Sequence, residues 1–497
     1  MLDNQPIAMV GYTRLAKTNS NSFRHMCRYL MQISSYVVCY LTKEEHRIKY
    51  IANKHFYRET AMIAIPIALQ SLLSSCLGLI DTMMVARINM VSAVGTATQI
   101  DSMNTLLALG ATSGTAIFLA QYSGAGDSRN LKKTFGLSVL LSILSGLCFF
   151  AASALFAPEI IHFYTPDQFV GQHAVSYLEI IKYSFIPSGL AFAFSYAFRS
   201  GKNTKIPLYV STLKMLLNVV LNYLLIFGKL GFPAMGVQGA AIATVISHWA
   251  GVAAYILVSV KTHQPFIGSI KEMFSLELSF IRRVLGRIYS LILNEVFFGF
   301  GETLYIKAFA TLGPIAMDAY FVGNKISSVF YILIMGLSSA ATIMLGNALG
   351  KGEIQKAKEQ SGYFLGFAGI LAVISVLSII LFAKPLVWMF GIENEAVVRL
   401  STQVVQVFAI KIALRLFIVV SFSALRAGGD SKFLTFIDSG VMWLVGIPLT
   451  FLIVEVLGVT SIVYVLLFVQ LEHLVRMLIG VNRLKSGKWA VNLTLQN

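Results

Sequence analysis

Twelve apolar runs, each long enough to cross a lipid bilayer as a helix, fill this chain from Thr60 onward and decide what it can fold into. A crossing helix takes about 20 residues. Lipid offers no partners to the backbone, so only helices or a closed barrel satisfy its amides. The runs are continuous rather than alternating, which excludes a barrel. Charged residues make up 12% of the 497 positions and hydrophobic ones 56%, far from the balance of a soluble domain. The fold class is therefore all-α integral membrane. Helices are expected at roughly 60–85, 91–122, 134–157, 174–197, 206–228, 239–260, 288–311, 319–349, 361–383, 397–425, 433–457 and 459–480.

A net charge of +16 points to nucleic acid in a soluble chain, but here the positive-inside bias accounts for it. The connections SGAGDSRNLKK, FRSGKNTK, Lys261 to Arg287, GKGEIQKAKEQ and LRAGGDSK, with the tail carrying Arg483, Lys485 and Lys488, all fall on one side. The other side holds little beyond Arg87, Lys229, Lys384 and Arg399. Both termini are thus expected in the cytosol, with the chain multi-pass in the cytoplasmic membrane; lipid is a partner and nucleic acid is not. Residues 1–57 form a basic arm around one short apolar run, Ile33 to Leu41, too short to span. Either an interfacial helix meeting anionic lipid or an extension without a role fits it.

Two segments repeat. Arg199 to Lys205 (RSGKNTK) returns as Arg426 to Lys432 (RAGGDSK), and Gln121 to Asp127 (QYSGAGD) returns as Asn347 to Glu353 (NALGKGE). Six helices per repeat is an even number, so the halves are parallel and related by an axis along the membrane normal. The expected organisation is an arm over 1–57, an N-lobe over 58–260, a cytosolic linker over 261–287, a C-lobe over 288–480 and a cytosolic tail over 481–497. Two parallel repeats with a cleft between them make an alternating-access transporter. A channel is the competing class, and no TVGYG-like filter favours it. The four cysteines and eight histidines show no metal-ligand spacing, and no HExxH, GxSxG or phosphate-loop motif occurs, so an enzyme is not expected.

Polar residues inside apolar helices are costly and mark function or pairing. Asp81, Asn218, Asn222 and Thr244 fall at one depth on helices 1, 5 and 6. A carboxylate, two amides and a hydroxyl suit a small hard cation or a hydrogen-bonded proton. Mutual hydrogen bonding that merely holds the lobe together is the other reading. Lys307, Lys325, Lys411 and Arg415 also lie within helices, and the repeat sets Lys307 opposite Asp81. Paired with carboxylates they are structural; unpaired in the cleft they favour an anionic substrate. Depth matching pairs Glu295 with Arg415 and Glu302 with Lys411.

The segments IPIALQSLLSSCLGLIDTMMVARI, QYSGAGD and NVVLNYLLIFGKLGFPAMGVQGAAIAT in the first half resemble the multidrug and toxic compound extrusion (MATE) family. LNEVFFGFGETLYIKAF, MGLSSAATIMLGNALGKGE, LRAGGDSKF and DSGVMWLVGIP in the second half are similar to its bacterial, NorM-like branch. The resemblance covers roughly 58–480 and implies V-shaped six-helix lobes in a monomer, exporting small organic, typically cationic, compounds in exchange for Na+ or H+, with no other cofactor. It implies that Asp81 is the coupling carboxylate, a Na+ ligand if Na+ is the coupling ion, with Asn218 and Thr244 as companions; Asn222 stands where some members carry a second Asp. It also implies a second-lobe cation or substrate role for Glu295, Asp438 and Trp443, with Arg415 where some members have an acid. A flippase of the same superfamily for a lipid-linked anionic glycan is the alternative.

Overall fold

The computed structural model describes residues 49–88, 90–164, 167–390, 392 and 394–495. The basic arm expected over 1–57 lies, up to residue 48, outside them. Twelve helical rods follow one another: α1 Lys54–Ala86, α2 Val91–Ala125, α3 Ser128–Tyr164, α4 over 168–200, α5 Lys205–Phe227, α6 Gly236–Lys261, α7 Leu278–Ala310, α8 Pro314–Gly350, α9 Ile354–Trp388, α10 Glu395–Ala427, α11 Ser431–Val456 and α12 Ile462–Lys485. Eleven of these are long and apolar enough to cross a membrane. The other, α4, is interrupted by a 3-10 turn at Lys182–Ser184 but runs on as helix to Ser200. Asn53 opens α1, its side chain accepting the Phe56 N–H at 2.9 Å. This relieves one of the unpaired amides of a first turn.

The rods match the expected ones, but most run longer at the basic end. α7 begins at Leu278 rather than near 288. Its buried stripe Phe280, Val284, Ile288 and Leu291 keeps helical spacing straight through Arg282, Arg283 and Arg287, which a span count discards. The linker expected over 261–287 accordingly shrinks to 262–277 and carries a short capped helix, Ile270–Phe274, with Ser269 and Glu272 bonding reciprocally. α12 likewise reaches Lys485. The tail expected over 481–497 packs back on the helices: Trp489 is fully buried and its Nε1 donates to the Leu484 carbonyl at 3.0 Å.

Both repeated motifs meet at the basic end, on the pseudo-twofold axis. Gln121 on α2 donates to the Ala427 carbonyl at 2.7 Å, and its repeat mate Asn347 on α8 donates to the Ser200 carbonyl at 2.9 Å. Gly124 faces the Asn347 backbone, and its mate Gly350 faces the Gln121 backbone, so closely that neither site has room for a Cβ. The pattern continues deeper, where Gly114 of α2 abuts Ile288 of α7 and Gly336 of α8 abuts Ala64 of α1. The tail seals the same seam, as the Leu493 N–H donates to Gln121 Oε1 at 2.6 Å.

At the far end each lobe has its own core. Val85, Ala97, Tyr177, Phe185, Ile226 and Val237 pack together in one. Tyr305, Phe309, Tyr320, Phe408, Ile447 and Val465 pack together in the other. The lobes are therefore joined at the basic end and separately cored beyond it.

Candidate functional site

Asp81 stands one turn from the far end of α1, half-buried against α5 and α6. Asn222 Nδ2 donates to Asp81 Oδ1 at 2.6 Å and to Asn218 Oδ1 at 2.9 Å. Asn218 Nδ2 in turn reaches Thr244 Oγ1 at 3.3 Å and Ser247 Oγ at 3.4 Å. The four residues marked in the sequence thus form one chain of hydrogen bonds across three helices. Asn218 and Asn222 are buried, and Asn222 Oδ1 has no partner. A buried acceptor left open beside a carboxylate is a place for a proton-bearing group or a cation.

Three further residues of this lobe were not singled out from the sequence. Lys214 lies one turn before Asn218 on α5, and His248 one turn after Thr244 on α6. His248 Nδ1 is 2.8 Å from the Thr244 carbonyl, which only accepts, so Nδ1 carries the hydrogen. Nε2 then offers its lone pair to Lys214 Nζ, 3.4 Å away. Asp101, on α2, is a further acid inside an apolar span of the same lobe. Charge inside an apolar span was the available signal for Lys214 and Asp101, and spacing from Asn218 and Thr244 for Lys214 and His248.

In the C-lobe, Asp438 is a hub. Asn294 Nδ2 donates to its Oδ2 at 3.0 Å and Arg476 Nη1 to its Oδ1 at 2.6 Å. Arg476 also pairs with Glu472, one turn away on α12, and the Tyr305 hydroxyl donates to Glu472. Gly446 leaves room for that contact, since a Cβ there would overlap both groups. α11 passes Asp438 and Trp443 through π-helical turns at Phe436–Gly440 and Met442–Gly446. Such turns swing side chains off the regular helical face. Trp443 Nε1 donates to the Phe297 carbonyl at 3.1 Å. Asp438 is already satisfied by Arg476, and the sequence reading missed Arg476, Glu472, Tyr305 and Asn294.

The expected pairs Glu295 with Arg415 and Glu302 with Lys411 do not form among the described residues. Arg415 lies 5.9 Å from the Phe298 ring centroid and Lys411 5.1 Å from that of Phe408. Depth matching was sound, but both cations turn onto aromatic faces, while Glu302 only shares a small cavity with them, about 30 Å³ in volume. Lys307 and Lys325 are exposed. Glu295 instead faces a larger cavity between the lobes, about 260 Å³, together with Arg199, Arg415, Arg426 and Asp438.

The family model MatE matches residues 66–224 and 291–452. The chain belongs to the MatE family. It is therefore a multi-pass membrane transporter and not an enzyme. A protein of Thermotoga maritima named a probable multidrug resistance protein NorM is 25% identical over 428 residues, covering 84% of this chain and 88% of that one. The probable multidrug resistance protein YoeA of Bacillus subtilis is 24% identical over 427 residues, 81% of this chain and 89% of its own. Among solved structures, the Vibrio cholerae MATE transporter VcmN in its bent form superposes with a TM-score of 0.76 at 17% identity, over 88% of this chain and 99% of that one. A Pyrococcus furiosus transporter described as having a binding pocket of reverse polarity superposes with a TM-score of 0.75 at 17% identity, over 90% of this chain and 99% of that one. These likenesses bear on the fold.

Proposed function

We propose that this MatE-family chain exports small organic compounds across the cytoplasmic membrane by alternating access, driven by cation exchange at Asp81, with both termini cytosolic. The observation that carries this reading is the hydrogen-bonded chain from Asp81 through Asn222 and Asn218 to Thr244, which ties the state of one carboxylate to three helices of one lobe. The relatives named multidrug resistance proteins support organic compounds as cargo. Either coupling ion, Na+ or H+, suits a carboxylate with two amides and a hydroxyl beside it, and separate gradients distinguish them.

The test is Asp81→Asn in proteoliposomes under separately imposed proton and sodium gradients. The amide is nearly isosteric and cannot ionise. Expected is retained substrate binding with loss of uphill, gradient-dependent export, a drop of at least tenfold. Undiminished gradient-driven export by Asp81→Asn would move the coupling role elsewhere, with Glu295 the next group to test. A flippase for a lipid-linked anionic glycan is the second reading, favoured by the arginines facing the cavity between the lobes.

A further inference from the structure

The cavity between the lobes departs from what a carrier of organic cations needs. Arg199, Arg415 and Arg426 line it, against Glu295 and Asp438. Asp438 is held by Arg476 at 2.6 Å, but Arg476 is shared with Glu472, so that cluster keeps one negative charge. Three guanidinium charges against Glu295 and that cluster leave one positive charge in excess, so a cationic guest would meet net repulsion.

The arginines also have donors to spare. Arg199 gives one nitrogen to Gln70 Oε1 at 2.7 Å, and its buried Nε has no partner. The buried Nε of Arg415 has none either. Arg426 forms no ion pair among those found in the described residues. Arg199 and Arg426 are repeat mates, each opening the repeated motif at the last turn of its helix, so the pseudo-twofold axis brings one guanidinium from each lobe to one cavity. Arg415 is an addition from the C-lobe alone. A cation in the last turn also complements the helix dipole, which explains Arg199 and Arg426 in part. It does not explain Arg415, twelve residues inside α10, nor the open Nε donors.

We infer that this cavity binds the anionic group of an organic substrate, a carboxylate or a phosphate. A guanidinium presents parallel N–H donors that fit either group. Ser338, Ser339, Thr342 and Ser423 supply hydroxyls on the α8 and α10 side, and Leu109, Phe298 and Met335 supply apolar wall for the rest of the molecule. Glu295 then favours a substrate that carries an amine as well, or sets aside one of the three cations. This rests on the transporter reading and replaces the expectation of cationic cargo with anionic or zwitterionic cargo. A soluble organic acid and a phosphate-bearing lipid share this chemistry.

Equilibrium binding to purified protein in lipid nanodiscs, with no gradient, tests the site apart from coupling. The probes are 5-carboxyfluorescein, a fluorescently tagged phosphatidic acid and ethidium. Expected is saturable binding of at least one anionic probe, weakened tenfold or more by Arg415→Gln and by Arg426→Gln and partly restored in Arg415→Lys, with ethidium weaker than the anions in the unaltered protein. Preference for carboxyfluorescein identifies a soluble organic acid, and preference for the phosphatidic acid identifies a lipid. Saturable ethidium binding with neither anion bound, no saturable binding of any probe, or anion binding unchanged in both glutamine variants would overturn the inference. Should the glutamine variants not fold, the probe preference of the unaltered protein and the response of Arg415→Lys decide. Anion binding without gradient-driven movement in proteoliposomes would leave the inference standing and count against the antiport reading.

Discussion

Arg476 holds two carboxylates at once, Asp438 on α11 and Glu472 on its own helix, from a site that is 1% exposed. Removing one partner of a buried ion cluster leaves the others uncompensated and costs about 3–5 kcal/mol. Arg476→Met should therefore lower the thermal unfolding midpoint in detergent markedly. The triple variant Arg476→Met, Asp438→Asn, Glu472→Gln should recover most of the loss, because no charge is then left alone. Equal destabilisation by the single and the triple variant would show that packing around the guanidinium, rather than charge, is what matters. At this scale the N-lobe cluster was legible: Asp81, Asn218, Asn222 and Thr244 are polar residues in apolar helices, and they meet. The C-lobe was not. Depth and spacing place Glu295 beside Arg415, but they do not say which of several cations turns toward a given acid. Arg476 takes Asp438 and Glu472, leaving Arg415 to a ring face and the cavity.

Among the elements, the linker over 262–277 shows how a segment outside the membrane is fixed by few charges. Glu272 is held below the usual carboxylate range first by the Ser269 backbone N–H and then by Lys132 of α3; Glu277 is held low by Lys133, 3.0 Å away. A carboxylate depressed in the folded state stabilises above its unfolded value, near 4.5, and that contribution is lost as pH falls through the lowered folded value. A spin label at the exposed Lys271 should thus keep constant mobility above pH 4.5 and loosen as the pH is taken lower. Lys132→Gln brings Glu272 back toward its ordinary value, so loosening should begin at higher pH. Mobility independent of pH in both proteins would mean that the contact of Met273 with Gly136, rather than the charges, docks the linker. The helices themselves were readable from apolar runs alone. Their basic-end extensions were not, since Arg282, Arg283 and Arg287 interrupt hydropathy without interrupting the buried stripe of α7.

For the whole molecule, the decisive feature is that the two repeated motifs are also the seam between the lobes. The sequence shows the repeats and hence the axis. It does not show that Gln121 and Asn347 cross that axis to bond each other's lobe, because an offset of residues carries no information about which surfaces touch. The seam closes the basic end through backbone contacts that only glycine permits at positions 124 and 350. The proposed alternating access requires the seam to open in the other half of the cycle, and its closure energy would then set the balance between the two states. A methyl added at either glycine must push the facing backbone aside, an overpacking cost of about 1–3 kcal/mol borne by the closed seam alone. Such a cost shifts the equilibrium roughly five- to 150-fold toward the basic-end-open state. Gly124→Ala and Gly350→Ala should act alike because the sites are related by the repeat. Gly95→Ala and Gly299→Ala, where a Cβ meets nothing within 4 Å, serve as controls. The readout is labelling of a cysteine placed at Ser339, which lines the cavity, in a chain freed of its own cysteines, with a membrane-impermeant thiol reagent added from the basic side. Labelling should rise in both seam variants and stay at the starting level in the controls. If the seam variants label no faster than the controls while folding normally, the closed contact seen between Gly124 and Asn347 is not the gate, and the barrier to the cavity lies deeper, where α2 meets α7 at Gly114 and Ile288.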